Sequence, residues 1–187
     1  MTITINGSGT VTGISVGGLP DGIVDTDMIA AAAVTDVKRG PGAILQIVQS
    51  GNLATYGTTS TTYSERLSTT ITPKQASSKI IICLQLFVNN YITNATNSYS
   101  RVKVQRDVNS GGDAEVYARA VANKVHHTGS GMGYFGNMCG PIFYTDSPSY
   151  SLGNSIDYSL WLASNGGGSE FGSDSHTSYY QLWELAQ

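Results

Sequence analysis

The sequence predicts a mainly β protein: a C-terminal antiparallel β-sandwich head, jelly-roll-like, over residues 43–187, on a short N-terminal neck that is extended or helical. Three observations predict it. From Ala43 onward, strand-like runs recur every roughly 10–20 residues, separated by Gly, Asn, Ser and Pro clusters. Before Gly40-Pro41-Gly42 there are too few large apolar residues to build a core. Charged residues make up 12% of the 187, about half of the ~25% of an ordinary globular domain. Gly, Ser, Thr and Asn supply the polarity instead, which suits loops and half-wet sheet faces.

Residues 1–19 open with TITIN, where Ile3 and Ile5 alternate with polar residues, and continue with VTGISVGG. Both read as short strands or extended pieces. They have no partner within the predicted sandwich and must lie against copies of themselves or another protein. Residues 20–42 read as a neck. Asp25 or Thr26 is placed to cap a short helix, Lys38 and Arg39 favour its C-terminal dipole, and Gly40-Pro41 stops it. Ile29, Ala33 and Val37 then form a narrow seam, the pattern a helix needs to pack on identical neighbours around an axis. An irregular extended linker fits the same residues, because Ile23-Val24-Asp25 is echoed by Ala33-Val34-Thr35. The two readings stay open.

In the predicted head, AILQIVQS alternates and TTYSERLSTTIT is rich in Thr. KIIICLQLFV reads as a buried central strand, with Cys83 as a packing thiol. SYSRVKVQRDV alternates Val with charged and polar residues, so one face is wet. EVYARAVANKV reads as a strand from the alternation of Val116, Ala118, Ala120 and Ala122. GPIFYTD, IDYSLWLAS and SYYQLWELAQ complete the set. The last of these stops in the sheet, as a distal knob would.

Several function classes are disfavoured. The net charge is −3 and no basic cluster exceeds two residues, so the concentrated cationic face that nucleic-acid binding needs is missing. No apolar run of 18 or more predicts membrane insertion, and MTITINGSGT lacks the regions of a signal peptide. Two cysteines, Cys83 and Cys139, make no secreted framework and fit synthesis in a reducing cytoplasm. Enzyme chemistry is not expected: there is no G-x-S-x-G, no H-E-x-x-H and no phosphate loop. The acids are too scattered to read as the facing carboxylate pair of a glycosidase. His126 and His127 are adjacent, so on a strand they face opposite ways and cannot chelate one ion within a chain. His176 and Asp174 sit two apart in a polar loop. No metal and no cofactor is expected.

The order of motifs carries a resemblance. GGLPDGIVDTDMIAAAAVTDVK, then PGAILQIVQS, then TTSTTYSERLSTTITPKQASSKIII, then PIFYTDSPSYSLGNSIDYSLWLAS and SYYQLWELAQ resemble short tail-fibre and related virion proteins of tailed bacteriophages. Asp146-Ser147-Pro148 before Tyr158, and the terminal Glu184-Leu185-Ala186, match that family's pattern. The resemblance implies a homotrimer with residues 1–19 as an attachment segment to other virion proteins (tail, baseplate or capsid), a thin neck at 20–42 and a head at 43–187. It implies a virion location, with assembly in the host cytoplasm. Two roles remain: a tail fibre whose head binds a host receptor, or a capsid decoration or head-fibre protein.

For the first role, a host-surface glycan or protein would meet the head loops near 126–138, 146–154 and 165–177. Those loops bring His126, His127, Tyr134, Tyr150, Asn165, Asp174 and His176. Eleven tyrosines favour such a surface, since Tyr offers a rigid amphipathic ring. Tyr56, Tyr63, Tyr91, Tyr99, Tyr134 and Tyr150 are expected in loops or at loop edges, with Tyr134 and Tyr150 at the surface.

Overall fold

Strand alternation settles which residues go inside. The structure is a computed structural model; it describes residues 4–5, 11–12, 34–92, 99–120, 133–165, 167–172 and 178–187. The chain divides into two units, Met1–Lys38 and Arg39–Gln187. In the first, β1 (Thr4–Ile5) pairs antiparallel with β2 (Val11–Thr12), setting Thr4 opposite Thr12 and Ile5 opposite Val11. A single 3-10 turn, Asp36–Lys38, closes on the bond from the Lys38 amide to the Thr35 carbonyl. Val37 stands in this turn. Ile29 and Ala33 lie outside the described residues, so the predicted helical seam does too.

The second unit is mainly β and antiparallel throughout. Its strands are β3 (Ile44–Gln49), β4 (Tyr56–Thr58), β5 (Ser64–Ile71), β6 (Lys79–Ile92), β7 (Ser100–Val108) and β8 (Ala114–Ala120). They continue with β9 (Gly133–Asp146), β10 (Ile156–Ser164), β11 (Gly168–Phe171) and β12 (Tyr179–Leu185). One sheet runs β5-β10-β7-β8. The other runs β3-β12-β6-β11-β4, with β9 along the free side of β6. The long β6 is the spine, pairing with β12 over its first half and with β11 over its second.

Every second residue points inward. Ile80, Ile82, Leu84, Leu86 and Val88 of β6 join Val102 and Val104 of β7, Ile156, Tyr158, Leu160 and Leu162 of β10, and Tyr180 and Leu182 of β12 in one buried cluster. Both sheets feed that cluster, an arrangement compatible with a sandwich. The alternation corrects one expectation. The β6 strand is central but buried on one face only, and Cys83 lies on its outer face as a half-buried free thiol. Partial burial pushes that thiol's pKa up.

Turn chemistry sets the connections. Gly42, at φ 87°, is needed where the chain enters β3, and its amide bonds the Ala186 carbonyl at 3.0 Å. The β7–β8 hairpin puts Asn109 (φ 52°) and Ser110 (φ 59°) in the left-handed region. Asp107 closes it by accepting the Gly112 amide at 3.0 Å.

Candidate functional site

Two acids lie buried in the interior, and internal donors engage both. Glu184 of β12 has no exposed surface, because its position in the strand points inward. A buried carboxylate needs donors on every side. Glu184 accepts from Ser78 Oγ at 2.8 Å, from Gln46 Nε2 at 2.7 Å, and from the amides of Lys74 (2.9 Å) and Gln75 (3.1 Å). It therefore fixes the turn between β5 and β6. Asp146 closes β9 and accepts the Arg106 guanidinium at 2.7 and 2.8 Å and the Tyr158 hydroxyl at 2.7 Å. This ties the two sheets together. Burial first, then the Asp146 charge, holds the Tyr158 hydroxyl protonated far above the usual tyrosine range. The Asp-Ser-Pro turn, Tyr158 and the terminal Glu thus have structural causes.

Above that turn lies a cleft of about 330 Å³ lined by Ser77, Ser78, Lys79, Ser147, Pro148, Ser149 and Tyr150. Tyr150 is not a free surface ring. It packs half-buried against the core; its hydroxyl donates to the Gln75 carbonyl at 2.7 Å and accepts the Ser78 amide at 2.8 Å. Its sequence placement at the surface is corrected: the ring clamps the 75–78 turn and leaves serines, Pro148 and Lys79 to line the rest of the cleft.

The other predicted contact residues fall elsewhere. Tyr134 lies in strand β9, opposite Tyr91 of β6, where a loop was expected. On the other side of β6, Tyr91 faces Gly168. Asn165 follows β10 two residues ahead of Gly167, half-buried, and its amide bonds the Tyr99 carbonyl at 3.0 Å. Tyr134 and Asn165 therefore belong to one end of the strands. Tyr150 belongs to the opposite end, four residues past Asp146, the partner of Ile80. His126, His127, Asp174 and His176 lie outside the described residues. Among the described residues, no group of three or more His, Cys, Asp or Glu side chains is placed to hold a metal ion.

Two surface features escaped the sequence reading. On the outer face of the four-stranded sheet, Tyr63 sits under Arg101 (4.6 Å) and Lys103 (4.9 Å), and Lys103 also reaches the Trp161 ring at 4.9 Å. The alternating cations of β7 were the available signal; their aromatic partners lie some 40 and 60 residues away in sequence, beyond any local pattern. On the outer face of the six-stranded sheet, Phe143 meets Trp183 edge-on at 6.2 Å beside Ile47, which is largely exposed.

No protein-family model matches the chain, and no curated protein matches it. Among solved structures, the chain is similar to part of the infectious bursal disease virus Gt strain structure, at 12% identity and TM-score 0.37, over 76% of this chain and 33% of that one. It is similar to the Gx strain structure at 10% identity and TM-score 0.33, over 75% and 36%. It is similar to the VP2 subviral particle of the same virus at 12% identity and TM-score 0.28, over 75% and 41%. The chain spans about a third of the length of the first two chains. A likeness this distant establishes neither kinship nor shared function.

Proposed function

We propose that this chain is a structural protein of a virion: a homotrimeric bacteriophage tail fibre that is not an enzyme. In this reading residues 1–19 attach it to other virion proteins, and its β head touches a host receptor. The observation that carries the reading is the use the head makes of its buried acids. Glu184 and Asp146 are both filled by internal donors that clamp turns and join sheets. Such carboxylates are engaged by internal donors and build a rigid scaffold. The head's outer surface includes aromatic and neutral polar side chains, which suit glycan or protein recognition. In this reading the receptor surface includes Tyr134 and Asn165, whose backbone positions fall at one strand end. The resemblance in motif order to tail-fibre proteins supports the same reading.

Labelled antibody on intact particles tests it. Label at the tail tip is expected. Label spread over the capsid would favour the decoration role, and no label on purified particles would overturn the proposal.

A further inference from the structure

Over β3, β12, the first half of β6 and the end of β9, the outer face of the six-stranded sheet carries an apolar patch where an antiparallel sheet normally meets water. Strand register lays its side chains in rows. Ile47, Trp183, Ile81 and Thr145 stand side by side across β3, β12, β6 and β9, and so do Gln49, Gln181, Cys83 and Phe143. Leu185 and Ile44 pair at the border of the first row. Phe143 is 59% exposed, Ile47 53%, Ile44 43% and Tyr179 40%. Along the outward positions of β3, β12, residues 79–85 of β6 and residues 141–145 of β9, the single charge is Lys79, at the start of its strand.

We propose that this face is where copies of the chain meet, three heads turning it toward a common axis. The inference rests on the trimer reading above and adds the surface that joins the heads. Three arguments name a second copy as the occupant. The first is area. With about 150–250 Å² per aromatic side chain and about 100 Å² taken per aliphatic one, the four most exposed residues leave roughly 300 Å² of apolar surface in water, and the half-buried Trp183, Ile81 and Leu185 add to it. A stable interface buries about 800 Å² per partner, of which about 65% is apolar between identical subunits, so these four residues alone supply more than half of the apolar share one partner needs. The second is charge. A face with one peripheral Lys meets its own copy without like-charge repulsion, whereas a charged partner would find nothing to pair with. The third is hydrogen bonding. Gln181 donates to Gln49 at 2.9 Å and Trp183 Nε1 donates to Gln181 at 3.0 Å, so the central polar groups of the patch are partly satisfied by one another, which lowers the cost of a dry neighbour.

Cys83 reports on the interface, since it stands in the second row beside Phe143. The test uses the full chain and the double variant Ile47→Glu/Phe143→Glu. Sedimentation velocity gives the oligomer, and iodoacetamide labelling located by peptide mass gives the rate at Cys83. The expected result is a wild-type trimer whose Cys83 labels about tenfold more slowly than in the folded double variant, because access controls thiolate reaction. The variant is expected either to fall to smaller species or, if held by its neck, to stay trimeric with Cys83 open. A wild-type trimer whose Cys83 labels as fast as the variant's overturns this interface and leaves the trimer reading standing. A wild-type monomer overturns both. If the Glu variant loses its β circular dichroism, Ile47→Ser/Phe143→Ser takes its place with the same criteria.

Discussion

The two sheets of the Arg39–Gln187 unit share one interior and present opposite exteriors. The outer face of the four-stranded sheet carries Arg101, Lys103, Asp107 and Asp157, with Asp157 accepting from Ser68 at 2.9 Å and Thr70 at 2.8 Å. The outer face of the six-stranded sheet carries Ile44, Ile47, Phe143 and Tyr179. Inside, both alternate in the same period and enter the same cluster. Strand alternation thus decides what is buried in folding, while the outward residues record what each sheet meets afterwards. One exterior is charged, and the other exposes apolar side chains.

Removing the tie between the sheets should have the largest effect. Asp146→Ala leaves the Arg106 guanidinium and the buried Tyr158 hydroxyl without their acceptor, and should cost about 3–5 kcal/mol. Urea unfolding followed at Trp161 of one sheet and Trp183 of the other should show both transitions moving together. If only one moves, the sheets do not share an interior.

The clamp at the cleft comes next. Tyr150→Phe removes a hydroxyl that both donates to Gln75 and accepts from Ser78. The loss should be about 1–3 kcal/mol by the same unfolding curves. A neutral outcome would return Tyr150 to the surface role that the sequence predicted.

Tyr180 sharpens the comparison from inside. Its hydroxyl is buried with no hydrogen-bond partner among the described residues, and burial raises its pKa far above the usual tyrosine range. The sign follows: the folded state keeps this proton while the unfolded chain loses it above pH ~10. Stability is therefore whole below that pH and falls as pH rises beyond it, by at most about 1.4 kcal/mol per pH unit for one group. Tyr180→Phe should raise stability at neutral pH by about 1 kcal/mol and flatten the alkaline slope. Unfolding curves measured at neutral pH and again above the tyrosine range check both halves.

The smallest effect belongs to the edge of the charged sheet. Ser110 holds a left-handed conformation in the β7–β8 hairpin. Ser110→Gly should gain roughly 0.5 kcal/mol, because glycine adopts that conformation without strain. A loss in thermal melting would mean the Ser110 side chain makes a contact that outweighs the strain.

Much of the fold was legible in the sequence. The alternation in SYSRVKVQRDV put Val102 and Val104 inside and Arg101 and Lys103 outside, as found. KIIICLQLFV was read as the central strand, but a run so apolar hides its alternation, so nothing local told that Ile81 and Cys83 face out. Partners were less visible than elements. Tyr150 and Gln75 are 75 residues apart, and Glu184 meets Ser78 across 106; no spacing rule reaches that far. The tyrosines expected in loops or at loop edges illustrate the same limit: Tyr56, Tyr91 and Tyr134 stand at strand ends, where register sets the neighbours that spacing alone does not show. Loop residues can be read as mobile contacts, but a ring on a strand is placed by its register.

Hydroxyl-radical footprinting of the full-length protein in solution compares the two exteriors directly. If the six-stranded face joins copies, Phe143 and Trp183 should be oxidised more slowly than Tyr63 and Trp161, although Phe143 is 59% exposed in the single chain. Phe143 oxidised as readily as that exposure allows would contradict the account.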